Sequence, residues 1–398
     1  MSNKSLQCYN FYKGDEMNFN SLEKYLKELS DSFVPSLGLK VMKDHKELFS
    51  FVSGFSDAQR TKKTEIDDVY LLWSMSKVIT AVAVLRLIEK GKLSLSDTLD
   101  SFFPEFKNAF YFENGKKITV KRAPDIFELL TMTAGFTYDV NTDNLNRFIG
   151  TDADTQTVIK ALANEPLKFE PGEHFCYSLC CDVLGAVIEK VTGLSYGEYL
   201  KKEIFDPLQM FDTGFHLNDD MKRRRSATFK MDKAAKKSYP INERPVYLLS
   251  SAFEGGGAGL FSTLPDYAKF SDALACGGTA FNGYQLLKKE TVDEMRKNHL
   301  GEVQLNDFVT STSHFGHGYG YCVSVLMEKK YDFHCPLGVF GWGGAAGCRT
   351  FIDPKNHISI TYVQEVMDMN TGEYMTHPHN MILNLTYDCI GSKENSDE

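Results

Sequence analysis

The sequence predicts an α+β protein built on an antiparallel β-sheet flanked by helices. One observation is a series of strand-like runs in the last third of the chain. Tyr319, Tyr321, Val323, Val325 and Met327 alternate, another run opens at Val339 and Phe340, and Ile358, Ile360 and Tyr362 alternate again. Runs this close together leave no room for the long crossover a parallel pair requires, so they pair antiparallel. The other is helical spacing at both ends of the chain. Phe19, Leu22, Tyr25, Leu26 and Leu29 recur as one apolar helix face, and residues 378–390 read as a last helix that closes over the sheet.

Between these ends the elements come in order. Two strand-like runs, at 37–42 and 47–55, succeed the first helix. The apolar run Val69, Tyr70, Leu71, Leu72 and Trp73 enters the core as a strand or extended segment, and Ser74 or Ser76 is a candidate N-cap for the next helix. From Lys77 onward Val78, Ile79, Ala81, Val82, Val84, Leu85, Leu87 and Ile88 leave almost no polar face, which predicts a helix buried nearly all round that stops at Gly91. A further helix opens at Ala123-Pro124-Asp125, with proline in its first turn, and ends in Thr131-Met132-Thr133-Ala134-Gly135. Residues 136–165 are polar, with one helical stretch at 155–163. The turn Glu170-Pro171-Gly172-Glu173 leads through Tyr177 into a helix carrying Val183, Leu184, Val187, Ile188 and Val191, and another helix spans 196–205 before Asp206-Pro207. Glu254-Gly255-Gly256-Gly257-Ala258-Gly259 is a backbone-permissive turn and not a phosphate loop, because no Lys-Ser/Thr comes after it.

Whole-chain properties bound the function. The 398 residues are 42% hydrophobic, enough for a sizeable core. We expect an N-terminal arm at 1–18, one catalytic domain at 19–390 and a disordered tail at 391–398. A net charge of -9 argues against a nucleic-acid partner, and the basic run Lys222-Arg223-Arg224-Arg225 reads as a solvated face or crossover. No apolar run is long enough to span a bilayer, and the first residues lack the apolar centre of a secretion signal. A cytoplasmic protein is therefore expected, unless a leader has been removed. Nine cysteines without regular spacing or any C-x-x-C agree with a reducing compartment. His314, His317 and His334 are better read as solvated loop residues than as metal ligands, and no metal or cofactor is expected.

The chemistry is concentrated in Ser74-Met75-Ser76-Lys77. In a first helical turn this spacing brings a hydroxyl and an amine onto one face. A serine is a poor nucleophile without a base beside it, and a lysine is a base only when its amine is neutral, a state that apolar surroundings favour. The backbone N–H of Ser74 could stabilise a developing oxyanion. The alternative is a capping serine and a lysine that snorkels out of the core. A second match, Ser21-Leu22-Glu23-Lys24, lies on an ordinary amphipathic stretch and is read as structural. Tyr177, on its own residues, is equally a tyrosine packed at a turn.

Set side by side, Trp73-Ser74-Met75-Ser76-Lys77, Leu129-Leu130-Thr131-Met132-Thr133-Ala134-Gly135, Pro171-Gly172-Glu173 ahead of Tyr177-Ser178, and Gly257-Ala258-Gly259-Leu260-Phe261-Ser262-Thr263 resemble the serine β-lactamase and penicillin-binding-protein superfamily. The likeness runs from about residue 20 to 390 and is closest to class C β-lactamases, D-alanyl carboxypeptidases and family VIII esterases. It implies a sheet lobe at 19–72 and 255–390, a mostly helical lobe at 73–254, and an active site in the cleft between them. It further implies Ser74 as acylated nucleophile, Lys77 as its base, Tyr177 as proton shuttle, and an oxyanion hole from the N–H groups of Ser74 and Ala345.

Two departures from the family pattern narrow the substrate. Where the family's Y-x-N loop has an amide, this chain has Leu179. Where its strand has Lys-Thr-Gly or His-x-Gly, this chain has Trp342-Gly343-Gly344. An indole offers one neutral donor and a large apolar surface, so small neutral acyl esters are expected over anionic β-lactams or D-Ala-D-Ala peptides. Arg349 could restore a carboxylate anchor but is read as structural. The expected enzyme is a serine hydrolase acting on small-molecule acyl esters or amides. A β-lactamase, a D-amino-acid-releasing peptidase, an acyltransferase and an inactive binding protein on the same fold are the alternatives. The loop near 222 and the region 136–165 are the candidate lids.

Overall fold

Alternation along two neighbouring strands sets up the core of the sheet. A computed structural model of the chain describes residues 17–140, 145, 152–241, 250–367 and 376–391. The expected arm (1–18, but for residues 17 and 18) and tail (391–398, but for 391) lie outside them. Helix α1 (Asn20–Ser32) buries Leu22, Leu26 and Leu29. It leads into β1 (Ser36–Lys43) and β2 (Lys46–Gly54), which form a hairpin. Next come β3 (Val69–Leu71), α2 (Ser76–Glu89), α3 (Cys180–Thr192), β4 (Phe261–Thr263) and α4 (Leu264–Ala275). The C-terminal part supplies β5 (His317–Tyr319), β6 (Ser324–Leu326), β7 (Phe340–Gly341), β8 (Arg349–Asp353), β9 (Ile358–Gln364) and α5 (Thr376–Ile390).

Seven strands form one sheet in the order β2-β1-β9-β8-β7-β6-β5, with every neighbouring pair antiparallel. Leu39 faces Tyr362 and Val41 faces Ile360 across the β1–β9 ladder. Residues two apart share a face of a strand, so Leu37, Leu39, Val41, Ile358, Ile360 and Tyr362 meet Leu22, Leu26, Ile382 and Leu383 of α1 and α5 in one core. Val363, one residue out of phase, joins a second core with Leu264, Phe270 and Leu274 of α4 and most of α2 and α3. Thus α1 and α5 cover one face of the sheet and α4 the other. Among the described residues no helix is long and apolar enough to cross a membrane.

The structure departs from the sequence reading at several places. The alternating run from Tyr319 to Met327 is a hairpin rather than one strand. Gly320 N–H bonds Val323 O at 2.8 Å and Cys322 takes φ +56, so the chain reverses inside a pattern that alternation alone cannot break. Strand β8 was not expected, because Thr350, Phe351, Ile352 and Asp353 show no apolar alternation in the sequence. The basic run ends a short helix, Asp219–Arg224, in which Arg224 pairs with Asp212 at 2.8 Å and Asp220 at 2.7 Å while Arg225 reaches the buried Glu365 at 2.9 Å. The other candidate lid is partly outside the described residues, at 141–144 and 146–151. Neither Ser74 nor Ser76 caps α2: the N-cap position is Met75, and Ser76 Oγ instead accepts Leu260 N–H at 3.2 Å.

Candidate active site

A sharp turn delivers the serine. Strand β3 pairs with β4 (Val69 opposite Thr263, Leu71 opposite Phe261), and the chain then bends through a 3₁₀ turn, Trp73–Met75, straight into α2. Trp73 takes φ +51, a left-handed conformation costly for a bulky side chain and tolerated where the surroundings hold it. Trp73 is buried, and Ser74, the next residue, is half-buried. Every residue of α2 from Ser76 to Leu87 is buried, as its composition predicts, so Lys77 lies wholly inside the protein.

Lys77 has three oxygen atoms around its amine: Ser74 Oγ at 3.1 Å, Tyr138 Oη at 2.9 Å and the carbonyl of Gly257 at 2.7 Å. The Tyr177 ring centroid lies 4.7 Å away. The glycine-rich turn makes this approach possible. Gly257 N–H donates to Asp182 Oδ1 on α3 at 3.1 Å, and a Cβ on Gly257 would stand 2.5 Å from Asp182 Oδ2. The carbonyl of the neighbouring Gly256 accepts Thr80 Oγ1 at 2.7 Å, so the turn is fastened to α2 at two points.

This environment corrects the expectation that apolar walls leave Lys77 neutral. Burial pulls its ammonium down, but electrostatic attraction to the polar groups of Tyr138, Tyr177 and Cys181 and to the Asp182 carboxylate pulls it up, and the net direction is well above the usual lysine value. Three acceptors match the three N–H groups of an ammonium. Burial pushes the Tyr138 hydroxyl well above the ordinary phenol range and raises Asp182 to about 6, with the Lys77 charge opposing the rise at both. The resting site therefore holds its proton on Lys77.

Tyr177 sits on the segment just ahead of α3. Its hydroxyl accepts a hydrogen bond from Trp342 Nε1 at 2.9 Å, and the two rings lie 5.4 Å apart. Trp342 is in turn stacked on His314, with centroids 5.1 Å apart and planes 13° apart. Gly344 lets the segment after β7 press against the nucleophile turn, since a Cβ there would stand 2.5 Å from Leu72 O and 3.1 Å from Trp73 Cβ. Ser74, Tyr177, Trp342, Gly343, Gly344 and Ala345 line one cavity of about 450 Å³.

Leu179 does not join them. It is 2% exposed and packs in the core at the start of α3, so the missing amide leaves no side chain in the cavity. Ser21 and Lys24 lie on α1, where Ser21 touches Cys389 and Lys24 pairs with Glu28, away from the cavity. Two residues at the site escaped the sequence reading. Tyr138 lies three positions beyond the Leu129–Gly135 segment, and Asp182 is the lone carboxylate in the apolar stretch of α3; a polar group at such a place was the signal. His314 and His317 bond Thr312 O and Phe315 O, and His334 bonds Asp388. Among the described residues the grouping with metal-ligand spacing is a different one, His45, Asp272 and Cys276.

The profile of the beta-lactamase family matches residues 22–376. Protein Rv1367c of Mycobacterium tuberculosis (strain ATCC 25618 / H37Rv) is 26% identical over 372 residues, covering 89% of this chain and 92% of that protein. Lovastatin esterase of Penicillium rubens is 28% identical over 338 residues, covering 77% of this chain and 82% of that protein. Among solved structures, EstCE1, a hydrolase with promiscuous acyltransferase activity, superposes with a TM-score of 0.77 at 23% identity, covering 93% of this chain and 97% of that one, a likeness that shows the fold.

Proposed function

The chain belongs to the beta-lactamase family, and within it we propose a serine hydrolase that cleaves carboxylic esters through an acyl-enzyme on Ser74. The observation that carries this reading is the buried Lys77 amine 3.1 Å from Ser74 Oγ at the edge of an open cavity. The esterase among its relatives supports the substrate class. Ser74 Oγ attacks the ester carbonyl carbon and its proton passes to Lys77. The carbonyl oxygen, now negative, is held by the N–H groups of Ser74 and Ala345. The C–O bond to the alcohol then breaks, the leaving oxygen takes a proton from Tyr177, and Lys77 returns one to Tyr177. Water repeats the cycle in reverse and frees the acid and Ser74. Trp342 steers Tyr177 through the indole N–H, a neutral donor, and Gly343 adds none, so nothing on this segment requires a charge at the scissile bond. Small neutral esters are thus sufficient substrates.

Two measurements test the reading. Intact mass after brief exposure to a fluorophosphonate should increase by one adduct, mapped by peptide sequencing to Ser74; folded protein without an adduct would remove the hydrolase assignment. The pH dependence is equally specific. The reactive state has one proton fewer than the resting site, and the lysine that must lose it is held above its usual value. Hence kcat/KM for p-nitrophenyl acetate, corrected for spontaneous hydrolysis, should rise by about tenfold per pH unit between 6 and 9. A flat profile would mean that Lys77 is not the base.

A further inference from the structure

Asp44 and His45 make the two-residue connection between β1 and β2, with Lys43 opposite Lys46 and φ of +49 and +65. A hairpin turn with both central residues left-handed favours Asn-Gly. His45 stands where glycine fits best, at a cost to the turn, and what its imidazole reaches is the end of α4. Nδ1 lies 2.7 Å from Asp272 Oδ2, and the His45 N–H donates to Asp272 Oδ1 at 3.3 Å. Cys276, four residues after Asp272, shares its helix face and brings Sγ to 3.9 Å from Oδ1. One ligating atom from each of the three residues lies within 4.8 Å of the other two. An ion pair between His45 and the buried Asp272 accounts for two of them but gives no role to the thiol. Cys276 also lines a cavity of about 490 Å³ with Lys355 and His357, which is a way in from solvent. The His357 imidazole bonds Asp44 Oδ1 at 2.8 Å and its carbonyl accepts the Asp44 N–H at 3.1 Å, so the turn is held from its other side as well.

A carboxylate and a thiolate together neutralise a dication. One nitrogen, one oxygen and one sulfur donor form a mixed set that suits zinc and not magnesium or calcium, which take oxygen ligands. We propose that His45, Asp272 and Cys276 form a zinc site, with water from the adjoining cavity in the fourth position. Tetrahedral ligands at zinc bond lengths stand about 3.5 Å apart, so the His45 and Asp272 atoms part by about 0.8 Å and the sulfur draws in by about half as much. Coordination sends the Cys276 thiol proton to solvent. The ion ties the β1–β2 turn to the C-terminal end of α4, segments 227 residues apart, and a clip stabilises most where the loop it closes is long. Its role is structural, and it departs from the expectation that the chain takes no metal. None of the three residues lines the cavity of Ser74, so the site does not depend on the ester-hydrolase reading.

The test titrates Zn²⁺ into the full chain after chelator treatment, against a competing chromophoric chelator, for the parent, Cys276→Ser and His45→Asn. Asparagine tolerates the left-handed conformation that residue 45 requires, so His45→Asn keeps the turn while losing the imidazole. The parent should bind one zinc per chain, and either variant should weaken that binding by about 100-fold or more, since even the groups behind a metal ligand are worth about 10- to 100-fold. Zinc should raise the melting temperature of the parent and leave Cys276→Ser unmoved. Parent loaded with Co²⁺ should show a thiolate-to-cobalt charge-transfer band in the near ultraviolet, and Cys176→Ser, which removes the other partly exposed cysteine among the described residues, should retain it. This readout needs no folded variant at 45 or 276. A parent that binds no zinc, binding undiminished in both variants, or a cobalt-loaded parent without the band overturns the proposal. A melting shift as large with Mg²⁺ as with Zn²⁺ also overturns it, because that would mark an oxygen site.

Discussion

Replacing Ser74 by alanine should lower kcat/KM for p-nitrophenyl acetate by about 10⁵-fold or more, the scale on which serine enzymes lose activity with their nucleophile. The substitution removes one oxygen from a half-buried side chain whose hydrogen bond is to Lys77 at 3.1 Å. The other two oxygens around Lys77, on Tyr138 and Gly257, remain, and so does the contact of Trp342 with Tyr177. The fold has little reason to respond, and the melting temperature should move by no more than a few degrees. Loss of rate with stability retained is the signature of a nucleophile. A Ser74→Ala variant within tenfold of the parent, in protein shown free of parent enzyme, would place the covalent chemistry elsewhere.

How much of this site could be read from the sequence depended on how far apart in the chain the partners lie. Ser74 and Lys77 are three residues apart on a run of buried apolar residues, so spacing and burial could both be read directly. The sheet was legible where large apolar residues alternate with small or polar ones, as in β1 and β9, and illegible in β8, where Phe351 and Ile352 are consecutive and break the alternation, although all three strands are largely buried. The proton balance of Lys77 was misjudged for a related reason. Its carbonyl partner is 180 residues away and Tyr138 is 61, and neither pairing leaves a periodic trace. Arg349 is the clearest case. Its direction depends on a bridge between Gly343 and Arg349 and on the absence of a side chain at 343, so a departure from the family strand that looked like a loss of donors is also the room a cation occupies.

Replacing Lys77 by methionine should cost nearly as much rate as losing the serine, about 10⁴-fold or more, because nucleophile and base act as one unit. For the same reason the double variant Ser74→Ala/Lys77→Met should be no slower than the slower single variant, and additive losses would show that the two act independently. The rise of kcat/KM with pH should vanish along with the amine. Lys77→Met also has a stability consequence with a definite sign. Burial lifts the Asp182 carboxyl to about 6, with Lys77 restraining the rise, against about 3.9 in the unfolded chain. A carboxyl raised on folding binds its proton more tightly in the native state. The stability it contributes is therefore full below about pH 4 and is lost as pH climbs through 6. Without the Lys77 charge the folded value rises further and the loss extends to higher pH. Between pH 6 and 8 the melting temperature of Lys77→Met should fall relative to that of the parent measured in the same buffers. Parallel curves would mean that Asp182 is not held in check by Lys77, and that the carboxylate behind the lysine is a packing residue rather than part of the site's proton balance.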